Sequence, residues 1–89
     1  MIVKDIEYSK SFCKDLKKLP IEIKERAIKI ERIFKANPLH PSLRLHKLHG
    51  KLKDFWYISV AMDYRIIFVR TDNGVIIFFS IGKHDIYEK

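Results

Sequence analysis

The chain has 89 residues, a formal net charge of +7, 47% hydrophobic residues and a single cysteine. That length holds one domain with one modest core. No apolar run reaches the roughly 20 residues that cross a bilayer, and the lone Cys13 excludes an internal disulfide and suits a reducing cytosol.

The opening residues, Met1-Ile-Val-Lys-Asp5, do not resemble a secretory signal, because charges interrupt them. Ile2 to Tyr8 reads as a first strand, with Ile2, Ile6 and Tyr8 on one face. Ser9 or Ser11 can cap the helix that follows. Its apolar stripe is Phe12, Leu16 and Leu19, with Lys14, Lys17 and Lys18 on the wet side. Pro20 ends this helix and can open the next as its first residue. Ile21 to Ala36 is the clearest helix: Ile23, Ala27, Ile30 and Phe34 recur at helical spacing, and charges of alternating sign occupy the other side. Two helices joined at Pro20 should form an antiparallel pair.

The stretch from His40 to Lys53 changes character. It carries His40, Arg44, His46, Lys47, His49, Lys51 and Lys53 and no acidic residue. Pro38, Pro41 and Gly50 argue for a loop. The excess positive charge concentrates here, which points to a polyanionic partner. Arg44, Lys47, Lys51 and Lys53, with Lys83 further on, are the candidates for holding such a polyanion, either nucleic acid or an acidic protein, by charge.

Three strands follow. In the first, Trp56, Ile58 and Val60 oppose Phe55, Tyr57, Ser59 and Ala61. In the second, Tyr64, Ile66 and Phe68 oppose Arg65, Ile67 and Val69. In the third, Val75, Ile77, Phe79 and Ile81 oppose Ile76, Phe78 and Ser80. Met62-Asp63 and Asn73-Gly74 supply the turns. The expected fold is α+β: an antiparallel two-helix pair packed on one face of a four-stranded, mainly antiparallel sheet, in the order β-α-α-β-β-β, forming a single domain over residues 1–89. The second face stays partly open and apolar, which suits a docking partner chain.

The order of elements resembles the RelE/ParE superfamily of bacterial toxins from type II toxin–antitoxin systems. The matching residues are His46-Lys-Leu-His-Gly50, the Trp56-to-Val60 strand, Asp63-Tyr-Arg-Ile-Ile-Phe68 and Ile81-Gly-Lys-His-Asp-Ile-Tyr87. The likeness covers essentially the whole chain and is nearer the RNA-cleaving RelE and YafQ-like branches than the gyrase-directed ParE branch. The resemblance implies a cytoplasmic endoribonuclease that cuts mRNA, usually on the ribosome, and inhibits translation. It also implies a cognate antitoxin that binds and neutralises the toxin in a hetero-oligomer. Neither a cofactor nor a membrane is implied.

By the same resemblance, Arg65 matches an arginine that stabilises the phosphate. His84 matches a catalytic histidine, and Tyr87 a near-terminal tyrosine that stacks on the substrate base. His46 and Asp63 match a histidine and an aspartate of the YafQ-like branch. Two lysines that RelE carries are replaced here by Tyr57 and Ser59, and no histidine lies between Lys51 and Lys83.

RNA cleavage without a metal needs a base for the 2′-hydroxyl, a cation for the phosphate and an acid for the departing 5′-oxygen. Histidine suits either proton role, since it titrates near neutrality. Arginine stays ionised and can donate two parallel hydrogen bonds to phosphate. His84 therefore reads as acid or base, Arg65 as phosphate stabiliser, and His46 or Asp63 as the complementary group. Structural alternatives stand beside these. Arg65 could be an edge arginine paired with Asp63 or Asp85, Asp63 a turn former, and Tyr87 a packing ring. Trp56 reads as core rather than as a stacking platform. At the level of function, the alternatives are a ParE-like gyrase inhibitor and a catalytically inactive antitoxin-binding module.

Overall fold

The computed structural model describes residues 1–52, 54–61 and 63–83. The elements run β1 (Asp5–Tyr8), α1 (Lys10–Lys17), α2 (Ile21–Ala36), β2 (His46–Lys47), β3 (Phe55–Ala61), β4 (Tyr64–Arg70) and β5 (Val75–Lys83). They build one sheet in the order β1-β5-β4-β3-β2. β1 runs parallel to β5, and the other neighbours are antiparallel. The sheet thus has five strands among the described residues rather than the four expected. The extra strand, β2, is only two residues long and both are exposed. Backbone pairing alone makes it a strand, helped by the Leu48 N–H, which donates to the Phe55 carbonyl at 2.9 Å.

Ser9 is the residue that caps α1. Its Oγ accepts from the Phe12 N–H at 3.0 Å and its hydroxyl donates to the Phe79 carbonyl at 2.7 Å. One serine therefore starts the helix and pins it to β5. Pro20 stands at the cap position of α2, so the helix proper opens on Ile21. At the β4–β5 turn only Gly74 takes a positive φ, +81°. A side chain there would be strained and would also crowd Lys4, whose side chain lies 3.1 Å from the Cβ position.

Phe12, Ala27, Ile30 and Phe34 from the helices meet Ile58, Val60, Ile66, Phe68, Ile76, Phe78 and Ile81 from the sheet. Phe34 is fully buried, with ring centroids 5.0 Å from Phe68 and 5.9 Å from Phe78. Burial of one such side chain stabilises by about 1.5–3 kcal/mol. Helices thus cover one face only. The other carries Phe55, Tyr57, Ile67 and Val69, and Phe79 remains 44% exposed. Between α1 and α2 a groove of about 360 Å³ opens onto Phe78 and Ile66.

One face assignment from the sequence is corrected. Strict alternation places Ile81 opposite Phe78, yet both are in the core. The register shows why: Ile67 pairs with Ser80 while Phe68 pairs with Phe78, so Phe79 is an extra residue. This bulge advances the phase by one and returns Ile81 to the helix side. A second irregularity falls between Ser59 and Ala61. There the Val60 carbonyl accepts from the Arg26 Nε–H at 3.0 Å.

Tyr8 closes one rim of the inter-helix groove. Its hydroxyl donates to the Glu31 carboxylate, and its ring stacks on Phe12 at 5.5 Å. Partial burial, then the hydrogen bond and charge of Glu31, raise the Tyr8 pKa to about 12. The raised value belongs to the folded state. The stabilisation is therefore complete below the ordinary tyrosine value of 10.0 and is lost as pH climbs from there towards about 12. Ultraviolet titration should show a late-ionising phenol that Tyr8→Phe removes. A wild-type titration complete near pH 10.0 would contradict the Tyr8–Glu31 contact.

Candidate active site

The site grows out of strand register. His46 of β2 sits opposite Tyr57 of β3, and Ser59 of β3 sits opposite Arg65 of β4. Directly opposed residues share a face. Tyr57, Ser59 and Arg65 alternate with the buried Ile58, Val60 and Ile66, so this face is the one the helices leave open. The strand order puts Tyr57 between the other two functional groups. The His46 and Tyr57 rings lie 5.2 Å apart at 8° to one another. On the other side the Arg65 Cζ is 4.9 Å from the Tyr57 ring centroid. Imidazole, phenol ring and guanidinium form one row across three strands.

Arg65 is not an edge arginine, since β4 is the middle strand of the five. Asp63 lies exposed in the β3–β4 turn. The Arg65 Nε is buried and has no hydrogen-bond partner among the described residues. A buried donor left unsatisfied costs about 1–3 kcal/mol. Such a group is explained when a ligand supplies the missing acceptor. On β5 the residue opposite Arg65 is Gly82, which adds no side chain to compete for it.

His46 is exposed, and its Nδ1 lies 3.0 Å from the Arg44 carbonyl. A carbonyl can only accept, so Nδ1 carries the proton of the neutral ring. Nε2 is then left with a free lone pair. Arg44 itself takes a left-handed φ of 49° where the 3₁₀ turn Pro41–Leu43 ends. That region costs a non-glycine residue about 1–2 kcal/mol. The strain sits at the bend that leads into β2 and His46.

The basic candidates separate. Arg44, Lys47, Lys51 and Lys83 are all exposed. Lys83 pairs with Tyr64, one step from the Arg65–Gly82 pair. Lys47 turns the other way: its Nζ lies 5.7 Å from the ring of Trp56, which packs against the core. Arg70 approaches the same ring at 5.6 Å. Nothing in the sequence pattern marked the Arg70 contact or the place of Tyr57 between His46 and Arg65. His84, Tyr87 and Lys53 lie outside the described residues.

Comparison with known proteins gives a consistent picture. A family model described as a bacterial toxin of type II toxin–antitoxin system, YafQ, matches residues 4–88. Among solved structures the chain is similar to YafQ from E. coli strain BL21(DE3), at 26% identity and a TM-score of 0.78, covering 96% of this chain and 98% of that one. It is also similar to a chain of the E. coli DinJ-YafQ toxin-antitoxin complex, at 28% identity and TM-score 0.74, with 93% and 94% covered. The fold alone is shared with a chain of the RelBE2 toxin-antitoxin complex from Mycobacterium tuberculosis, at 15% identity and TM-score 0.77, with 93% and 100% covered. No curated protein sequence matches the chain.

Proposed function

The chain belongs to the YafQ family of bacterial toxins of type II toxin–antitoxin systems, and on that premise we propose that it is a metal-independent endoribonuclease that cleaves mRNA on the ribosome and so inhibits translation. The observation that carries this reading is the Arg65 guanidinium, desolvated at Nε and without a carboxylate among the described residues, set in one row with His46.

The reaction runs as follows. The Nε2 of His46 takes the proton of a 2′-hydroxyl, and the 2′-oxygen attacks the adjacent phosphorus. Arg65 donates to the phosphoryl oxygens as negative charge builds on them. The bond from phosphorus to the 5′-oxygen breaks, and His84 gives that oxygen a proton. A 2′,3′-cyclic phosphate and a free 5′-hydroxyl result. Tyr87 stacks on a base and orients it. His46 takes the role of base ahead of Asp63, because its ring is stacked on Tyr57 whereas Asp63 is exposed in a turn. Arg44, Lys51, Lys53 and Lys83 hold the RNA backbone, and Lys47 contributes from the far side of the sheet edge.

The partner is a cognate antitoxin. A relative of this chain has been solved as a DinJ-YafQ complex. The net charge of +7, the exposed Phe79 and the apolar groove between α1 and α2 favour an acidic, partly apolar chain as occupant.

The test is to induce the gene alone and map mRNA 5′ ends by primer extension. Growth arrest with new 5′ ends is expected, and His84→Ala should abolish both. Arrest with intact mRNA and a DNA-damage response would favour a gyrase poison. Absence of arrest would favour an inactive antitoxin-binding module.

A further inference from the structure

We propose that Tyr57 is a positioning residue, whose ring fixes the His46 imidazole on one side and the Arg65 guanidinium on the other in the orientation that cleavage requires. The inference rests on the ribonuclease reading above and extends it to a side chain that contributes no proton and no charge.

Two flexible groups must be held here. Arg65 has a long stem with many rotamers, and His46 is exposed on a two-residue edge strand. Left free, either would lose much of its advantage, because catalysis depends on reacting groups being held in place. The Arg44 carbonyl fixes one nitrogen of His46 but leaves the ring free to swing about that bond. The Tyr57 ring, nearly parallel at 8°, removes that freedom.

A carboxylate could hold Arg65 more firmly, but it would occupy the N–H donors and cancel the positive charge. An aromatic face avoids both effects. Stacking engages the flat surface of a guanidinium and leaves its in-plane donors pointing outward. The same holds for the imidazole, whose Nε2 lies in the ring plane. Tyr57 therefore holds both groups without consuming the atoms that do chemistry. The absence of a hydrogen-bond partner at Arg65 Nε among the described residues fits this arrangement.

The experiment combines NMR with kinetics. In the wild type, the His46 ring protons should be displaced upfield by the Tyr57 ring current. Tyr57→Val, whose β-branched side chain suits a strand, should return them towards random-coil positions. It should lower kcat for RNA cleavage about tenfold to a hundredfold with little change in KM. Tyr57→Phe keeps the ring and should retain the upfield shifts and most of kcat. A Tyr57→Phe variant as impaired as Tyr57→Val would assign the role to the hydroxyl and overturn the proposal. So would a folded Tyr57→Val enzyme with wild-type kcat. If the valine variant fails to fold, the wild-type shifts together with the Tyr57→Phe kinetics decide the matter. Failure of the parent reading would look different. A wild type with the stack intact and no RNA cleavage would remove the ribonuclease and with it the purpose of the sandwich. A cleaving wild type with His46 protons at random-coil positions would remove the sandwich alone.

Discussion

Arg65→Ala should lower RNA cleavage by about a hundredfold to a thousandfold, the loss typical when one preorganised donor to a developing oxyanion is removed. The effect is large because of where the guanidinium sits. It lies on the central strand, half-buried, with Nε desolvated and unpaired among the described residues. A donor already stripped of water gains more from a phosphate than one that must first shed its hydration shell. The fold should survive the change. Removing an unsatisfied buried donor relieves a cost of about 1–3 kcal/mol, which offsets the packing lost with the aliphatic stem. Arg65→Lys is the informative control. It keeps the charge but loses the planar fork and the flat contact with Tyr57, so it should recover only part of the rate. Single-turnover cleavage alongside circular dichroism reads both outcomes. An alanine variant that cleaves at the wild-type rate would remove Arg65 from the mechanism.

Both helices and the three long strands were legible because each has a period that survives in the sequence. Phe12 and Leu16, or Ile30 and Phe34, recur at helical spacing and are the residues that the core holds or touches. β2 was not legible, because His46-Lys47 has no apolar alternation and owes its conformation to a partner strand. The bulge at Phe79 was equally hidden: an apolar run that reads Val75-Ile-Ile-Phe-Phe carries no mark of which residue is surplus. His46 and Arg65 could be picked from the sequence as candidates, but not their arrangement. His46, Tyr57 and Arg65 are far apart along the chain, and only the register across β2, β3 and β4 lines them up. Tyr57 looked like an ordinary strand residue for the same reason. Its function comes from what lies on either side of it, which a one-dimensional pattern does not record.

His46 permits a sharper substitution than alanine. Its two nitrogens have separate tasks: Nδ1 donates to the Arg44 carbonyl and Nε2 offers the lone pair. Asparagine can place an amide N–H near the position of Nδ1 and has nothing to replace Nε2. His46→Asn should therefore keep the turn into β2, fold normally and lose about a hundredfold to ten-thousandfold in cleavage, the range that general acid–base catalysis supplies. Glutamine has the opposite defect, since it reaches the Nε2 position without the donor that fixes the ring. His46→Gln should lose activity and also loosen the β2 edge, which hydrogen exchange at the Leu48 amide would report. If His46→Asn keeps the full rate, the base is another group, and Asp63 in the neighbouring turn becomes the candidate to replace next.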